Sequence, residues 1–167
     1  MEFEIIDYNI NTHKMLDEWI DELKNPNAKL INMYATFNEP ISKTYQYFLK
    51  RPYDMANIKS FIKLFANEGF IYGVVVFHYY NETDIFYLGV NPIIINPEFF
   101  GHGIGTKILK EIANSVDKIA KGHVDIIKAD TDETNIASIK MLEKAGFVKG
   151  AKNNNFVEYS YKIINNK

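Results

Sequence analysis

The chain has 167 residues, of which 47% are hydrophobic and 24% charged, the composition of a globular protein with a substantial core. Its formal charge of −2 gives no broad basic surface for nucleic acid, and the absence of cysteine excludes disulfides and a cysteine nucleophile. No apolar run is long enough to span a membrane, and the first residues lack a secretory signal. We therefore expect one domain over residues 1–167, in the cytoplasm, without nucleic-acid or membrane partners.

The first third of the chain combines a strand with helical patterns. Residues 3–8 are typical of a strand, and residues 40–50 of a helix. Between them, a first helix is expected to begin after Asn11 or Thr12, either of which can cap it. Its apolar face consists of Met15, Leu16, Trp19, Ile20 and Leu23. Residues 30–37 are apolar and aromatic without a clean period, so they receive no assignment.

An antiparallel segment follows, because the hydrophobic period changes to two near residue 58. Three strands are predicted over residues 58–66, 70–80 and 84–95, joined by tight turns at 67–69 and 81–82. Pro92 interrupts the third strand, and proline inside a sheet is tolerated at bulges and edges. We therefore expect a bulge or a splay at Asn91-Pro92.

Three glycines at alternate positions, Gly101, Gly103 and Gly105, separate this strand from a helical pattern over residues 106–121. Asn96-Pro97 ends the strand, because proline cannot donate to a ladder. A strand, a glycine-rich turn and a helix N-terminus together favour phosphate binding through main-chain N–H groups. The spacing matches neither the phosphate-binding loop of NTPases nor the dinucleotide fingerprint.

The last third predicts another strand, a helix and two closing strands. Residues 124–129 form a strand that ends at Asp130, and Thr134 or Asn135 caps the helix that follows. Gly146 suits the end of that helix, before strands over 147–150 and 156–163. The inward-facing residues of the helix are expected to be Ile136, Ile139, Leu142 and Ala145.

Two motifs resemble those of the Gcn5-related N-acetyltransferase (GNAT) superfamily. The stretch Pro97-Glu-Phe-Phe-Gly-His-Gly-Ile-Gly105 is similar to its central glycine motif, with Phe100 where glutamine or arginine is usual. The stretch Asn135-Ile-Ala-Ser-Ile-Lys-Met-Leu-Glu-Lys-Ala-Gly-Phe147 is similar to its second signature. Leu142 occupies the position at which many members place a tyrosine as general acid.

The resemblance implies an α+β protein with the acyl-CoA N-acyltransferase fold. Its mixed sheet has about seven strands with a splay after the fourth, flanked by about four helices. The co-substrate implied is acetyl-CoA, and the fold implies direct transfer of acetyl to an amine. The coenzyme-binding residues implied are Ile93, Ile95, Phe100, Gly101, His102, Gly103, Ile104, Gly105, Thr106, Asn135 and Ser138. For His102, contribution through the main chain alone is the simpler interpretation.

Asp130 is the candidate catalytic residue, as a base or an anchor for the amine; the competing interpretation is a capping or turn aspartate. The run Asp130-x-Asp132-x-x-Asn135 is most similar to the aminoglycoside 6′-N-acetyltransferase branch, which implies a small cationic amine as acceptor. N-terminal protein, polyamine and siderophore-precursor acetylation remain alternatives. So do a non-catalytic acyl-CoA-binding module and a Rossmann-type nucleotide-binding protein. No metal is predicted, because the histidines lack ligand spacing, and the superfamily implies a monomer or a homodimer.

Overall fold

A computed structural model describes residues 1–23, 41–43, 46 and 57–164 of the chain. In these residues seven strands form one sheet, in the order β1-β2-β3-β4-β5-β7-β6. Neighbouring strands are antiparallel except for β4 and β5, which are parallel. The strands are β1 Glu4–Asp7, β2 Lys59–Asn67, β3 Phe70–Glu82, β4 Ile85–Ile95, β5 Ile126–Asp132, β6 Val148–Asn153 and β7 Phe156–Lys162.

The helices lie on both faces of this sheet. They are α1 Met15–Leu23, α2 Ile104–Asn114, α3 Val116–Ala120 and α4 Ile136–Lys144, with a short 3-10 helix at Pro97–Phe99. Residues 41–43 and 46 are also helical, while the rest of the helix predicted over 40–50, and all of 30–37, lie outside the described residues. No helix in the described part of the chain has the length and apolar character needed to cross a membrane.

Two apolar clusters cover opposite faces of the sheet, because successive strand residues point to opposite sides. On one face α2 and α4 pack against β3, β4, β5 and β7 through Val75, Phe77, Leu88, Ile108, Leu109, Leu142 and Tyr159, among others. On the other face Leu16 and Trp19 of α1, with Ile41, pack against Leu64, Val74, Val76 and Ile94. We call these the coenzyme-side core and the α1-side core.

A bulge in β4 exchanges the faces of this strand. Val75 of β3 pairs with Ile93, and Phe77 pairs with Val90, so Val76 opposes two residues, Asn91 and Pro92. One extra residue reverses the alternation of side chains. Before the bulge, Leu88 and Val90 face the coenzyme-side core. After it, Ile94 belongs to the α1-side core, and its neighbours face the coenzyme side. The bulge predicted at Asn91-Pro92 is confirmed.

The sheet opens between β4 and β5. These strands pair through three residues each, Tyr87–Gly89 with Ile126–Lys128. Beyond Gly89, β4 pairs with β3 alone, and beyond Lys128, β5 pairs with β7 alone. The splay predicted after the fourth strand, and with it the predicted fold class, is confirmed.

The turn between β3 and β4 differs from its predicted place. The strands continue until Glu82 faces Ile85, so the two turn residues are Thr83 and Asp84, with φ of 46° and 66°. The predicted turn at 81–82 relied on the turn preference of Asn81 and was wrong by two residues. Asn81 and Glu82 instead pair with Phe86 and Ile85 within the ladder. The first hairpin turn, Glu68-Gly69, lies within the predicted 67–69.

Helix boundaries and exposed faces also differ from the sequence prediction. Helix α1 begins at Met15, so neither Asn11 nor Thr12 is its cap, and Met15 itself is exposed. The helix predicted over 106–121 is two helices that meet at Ser115, whose hydroxyl donates to the Glu111 carboxylate at 2.7 Å. Ile136 is also exposed, because it lies in the first turn of α4, ahead of the buried positions Leu142 and Ala145.

Candidate active site

The glycine turn between β4 and α2 has a backbone that side chains disfavour. Gly101 and Gly103 have φ of 79° and 72°. A Cβ at either position would have no atom within 4 Å, so the backbone conformation, and not a lack of space, requires glycine. The Asn96 carboxamide fixes the entry to the turn, accepting from Glu98 N at 3.1 Å and donating to Ile71 O at 3.0 Å. The turn is therefore open to a ligand that approaches the main chain.

Helix α2 presents its N-terminus at the same place. Gly103 is its N-cap and provides no side-chain hydrogen bond to the first turn. Within the described structure, no acceptor occupies the N–H groups of Ile104, Gly105 and Thr106. Unpaired N–H groups at a helix N-terminus attract an anion, through both hydrogen bonding and the helix dipole. The arrangement is suited to a phosphate.

A groove of about 300 Å³ runs from this turn between α2, α4 and β4. Its lining residues are Ile93, Ile95, Phe99, Phe100, Gly101, Gly103, Ile104, Gly105, Thr106, Asn135, Ala137, Ser138, Lys140, Met141 and Lys144. Of the eleven coenzyme-binding residues predicted from the sequence, the groove brings together all except His102, which is exposed. Phe100, at the unusual position of the motif, also packs against the α1-side core.

Helix α4 forms the second wall of the groove. Asn135 caps it, since the Asn135 side chain accepts from Ser138 N at 3.1 Å. Met141 packs so closely on α2 that a Cβ at Gly105 would lie 2.2 Å from its sulfur. Lys140 and Lys144 also line the groove and bring positive charge to it. Neither lysine is among the coenzyme-binding residues predicted from the sequence; their four-residue spacing, which places both on one face of the helix, is the signal that could have identified them.

The main chain of β4 forms the third wall. Asn96 N donates to Tyr72 O of β3 at 2.9 Å. Main-chain groups alternate in direction along a strand, so those of Ile95 and Ile93 are directed away from β3, towards the splay. Strand β5 does not pair with them there. These groups are free to pair with an extended ligand, in the manner of an added strand.

Asp130 lies on the other side of the splay and outside the groove. It is part of β5, directly opposite Glu158 of β7. The interpretation as a helix cap is therefore wrong, because β5 extends to Asp132 and the cap is Asn135. Asp130 is exposed on its strand, yet desolvation of its carboxyl group, with the charge of Glu158, raises the pKa of Asp130, against the opposing effect of Lys128. A raised pKa suits a base better than an ordinary aspartate does.

Aromatic and charged side chains surround Asp130 on this face. Lys128 Nζ lies 3.3 Å from Glu158 Oε2 and 4.7 Å from the centroid of the Tyr87 ring, which stacks on Tyr80. Burial lowers the pKa of Lys128, but Glu158 and the two tyrosines outweigh it, and the net direction is upward. For Tyr80, whose charged form is an anion, burial raises the pKa. Lys128 thus stays charged and is balanced by Glu158, whereas Asp130 makes no hydrogen bond or ion pair within the described residues.

The other candidate acids and bases have structural partners. Asp132 accepts from the N–H and hydroxyl of Thr134 at 2.8 and 2.6 Å, and these bonds lower the pKa of Asp132. Leu142, at the tyrosine position of the second motif, is buried in the coenzyme-side core. Tyr159 is buried too, and its hydroxyl donates to the Glu143 carboxylate at 3.3 Å. No tyrosine is found among the groove-lining residues that the structure describes.

This combination of a splayed mixed sheet, a glycine turn and a helix N-terminus defines an acyl-CoA N-acyltransferase fold. The model of the acetyltransferase (GNAT) family matches residues 27–147. The chain therefore belongs to the GNAT family and is an N-acetyltransferase, as the two motifs predicted. No curated protein sequence matches the chain significantly.

Solved structures share the fold over nearly the whole chain. Aminoglycoside acetyltransferase AAC(6')-Ib in complex with coenzyme A and kanamycin is 17% identical, with a TM-score of 0.65 over 96% of this chain and 95% of that one. The N-acetyltransferase PseH of Campylobacter jejuni in complex with acetyl coenzyme A is also 17% identical, with a TM-score of 0.63 over 96% and 99%. A domain from Methanocaldococcus jannaschii is 22% identical, with a TM-score of 0.61 over 96% and 99%.

Proposed function

We propose that this protein transfers acetyl from acetyl-CoA directly to a primary amine of a small cationic acceptor, resembling an aminoglycoside. The observation that carries the proposal is the groove itself, in which an anion site at the glycine turn leads along an unpaired strand edge to an opening in the sheet. Solved neighbours with coenzyme A or acetyl-CoA bound support acetyl-CoA as the co-substrate. The acceptor class rests on Asp130 and on the aminoglycoside complexes among those neighbours.

Main-chain groups hold the coenzyme in this proposal. The diphosphate binds the N–H groups of the glycine turn and the first turn of α2, supported by Thr106, Lys140 and Lys144. The pantetheine arm pairs with Ile93 and Ile95 and so enters the splay. The thioester carbonyl then lies at the opening, where a β4 N–H stabilises the developing oxyanion.

Asp130 prepares the acceptor on the other side of the opening. An alkylamine has a pKa of about 10.4, so most of it arrives as a cation, which a carboxylate attracts. Asp130 accepts the proton, directly or through water, and the neutral nitrogen attacks the carbonyl carbon. The new C–N bond forms and the C–S bond breaks, and the electron pair leaves on sulfur. A thiol pKa near 8.5 makes this thiolate a fair leaving group without a tyrosine acid.

The test is release of coenzyme A thiol from acetyl-CoA with a panel of aminoglycosides, polyamines, peptides with a free N-terminus and siderophore precursors. We expect turnover with aminoglycosides and none with aminoglycosides acetylated at every amine, in which no free amine is left to attack. Turnover confined to peptides or polyamines would contradict the acceptor class but not the transferase.

A second candidate is a module that binds acyl-CoA without catalysis, and the absence of a tyrosine from the described groove residues favours it. Tight binding of coenzyme A with no thiol release across the whole panel would support the module and exclude our proposal.

A further inference from the structure

A histidine on β3 contacts the backbone of the β4 bulge. His78 pairs in register with Gly89, just before the bulge, and its Nε2 lies 3.2 Å from the carbonyl oxygen of Asn91. Neither Asn91 nor Pro92 has a register partner on β3, so the ladder does not hold this carbonyl. The side chain replaces a ladder hydrogen bond at the irregular point of the strand.

The two contacts of His78 indicate which of its ring nitrogens carries the proton. Ser60 lies opposite His78 on β2, and its Oγ is 2.7 Å from His78 Nδ1. In a neutral imidazole one nitrogen donates and the other accepts. A hydroxyl can donate to Nδ1, whereas the Asn91 carbonyl can only accept, so the tautomer that satisfies both contacts has its proton on Nε2. In this form the Ser60 hydroxyl donates to Nδ1 and orients the ring, and His78 donates from Nε2 to the Asn91 carbonyl.

The bulge decides which residues of β4 face the groove. Without it, strict alternation after Leu88 and Val90 would place Ile94 towards the coenzyme-side core. With it, Ile93 and Ile95 line the groove, and Ile94 is buried in the α1-side core. The contact that holds the bulged carbonyl thus bears directly on the strand edge proposed to bind the pantetheine arm.

We propose that His78, oriented by Ser60, is a positioning residue that fixes the β4 bulge and thereby aims Ile93 and Ile95 at the pantetheine arm of acetyl-CoA. This role rests on the proposed function of the groove. We expect His78 to affect binding of the pantetheine arm and not binding of the diphosphate, which is proposed to lie at the glycine turn.

Calorimetric titration of the full-length protein with coenzyme A, and separately with 3′-phospho-ADP, tests the proposal. The second ligand contains the diphosphate but lacks the arm. His78→Asn keeps a donor near the Nδ1 position only, whereas His78→Gln keeps one near Nε2. We expect His78→Asn and His78→Ala to weaken coenzyme A about tenfold, the loss of one hydrogen-bonding contact. They should leave 3′-phospho-ADP unchanged, and His78→Gln should restore most of the affinity. Ser60→Ala should show a smaller loss in the same direction.

Tyr79→Phe is the matched control. Tyr79 is adjacent to His78, and its hydroxyl also donates to a main-chain carbonyl, His123 O, at 3.0 Å. The substitution removes this hydrogen bond, which lies away from the bulge. Unchanged coenzyme A affinity in His78→Asn, or equal losses for both ligands, would overturn the role of His78. If His78→Ala does not fold, the Asn and Gln pair and Ser60→Ala still decide. Failure of the unmodified protein to bind coenzyme A would instead remove the proposed function.

Discussion

In the proposed function, the two sides of the splay recognise ligands by different means. On the groove side, the proposed contacts come from main-chain groups of the glycine turn, of α2 and of β4, whose direction depends on glycine conformation. On the α1 side, the proposed base Asp130 lies among side chains from separate strands, namely Tyr80, Tyr87, Lys128 and Glu158. Recognition by the backbone leaves a recognisable sequence motif, because few residue types tolerate the left-handed conformations of the glycine turn. Recognition by side chains on separate strands leaves no such motif. The co-substrate can therefore be predicted from the sequence more readily than the acceptor can.

The largest expected effect falls on the α1 side. Asp130→Asn removes the proposed base, so kcat should fall roughly 10²- to 10⁴-fold while the Kd for coenzyme A is unchanged. Steady-state kinetics and titration measure the two quantities. Asp132→Asn is the control, since Asp132 is occupied by Thr134. An equal loss in both variants would show that negative charge, and not a base at Asp130, matters.

The same substitution gives a prediction about stability. The raised pKa of Asp130 means that the folded protein holds this proton more tightly than the unfolded chain, whose aspartate titrates near 3.8. Ionised Asp130 therefore costs stability once the pH exceeds its folded pKa. Asp130→Asn should raise Tm at pH 7, and the gain should disappear at a pH below 3.8. A lower Tm at pH 7 would contradict the raised pKa.

The second effect falls on the groove side. Gly103→Val forces a β-branched residue into a left-handed conformation and displaces the N–H groups of the turn. The loss of two charge-assisted hydrogen bonds should weaken coenzyme A roughly a hundredfold. Gly69→Val is matched, because Gly69 has φ of 81° and equally open space, but lies in the β2–β3 turn. Calorimetry should show a loss in Gly103→Val alone, while thermal melting shows destabilisation in both.

A smaller effect links the neighbours of Asp130. Glu158 raises the pKa of Asp130 and Lys128 lowers it. Glu158→Gln should therefore move the acidic limb of kcat/KM to lower pH, and Lys128→Met should move it to higher pH. Opposite displacements in the two pH–rate profiles identify Asp130 as the titrating group. Displacement of both in one direction would assign the limb to another residue.

The smallest effect concerns the lysines of α4. Lys140→Ala should weaken coenzyme A by no more than about fivefold, as expected for one exposed ionic contact, and the loss should diminish in high salt. Lys118→Ala, an exposed lysine on α3, is the control. Titrations at two salt concentrations make the measurement, and a salt-independent loss would indicate a packing role for the Lys140 side chain.

The sequence predicted most of the fold and most of the groove for one physical reason. Gly101, Gly103 and the cap Asn135 are local devices whose conformations depend on their own residue type. Part of what it missed depends on contacts between distant segments: the position of Asp130 within β5 results from pairing with β7, which local propensity does not contain. The break at Ser115 and the exposure of Ile136 are errors at helix boundaries, because an apolar period does not mark the residue at which a helix begins or ends. The sequence did not identify Lys140 as a groove residue, because a helical period shows which residues share one face of a helix but not which element that face contacts.

The bulge in β4 means that the strand carries one residue more than its ladder with β3 needs. A one-residue deletion at Asn91 would therefore place Pro92 opposite Val76 and leave Ile93, Ile94 and Ile95 opposite their present partners, each on its present face of the sheet. Closing the bulge at unchanged chain length would instead shift the register by one residue, and Ile94 would exchange layers with both of its neighbours. The two hydrophobic layers thus tolerate loss of the extra residue but not loss of the irregularity that accommodates it.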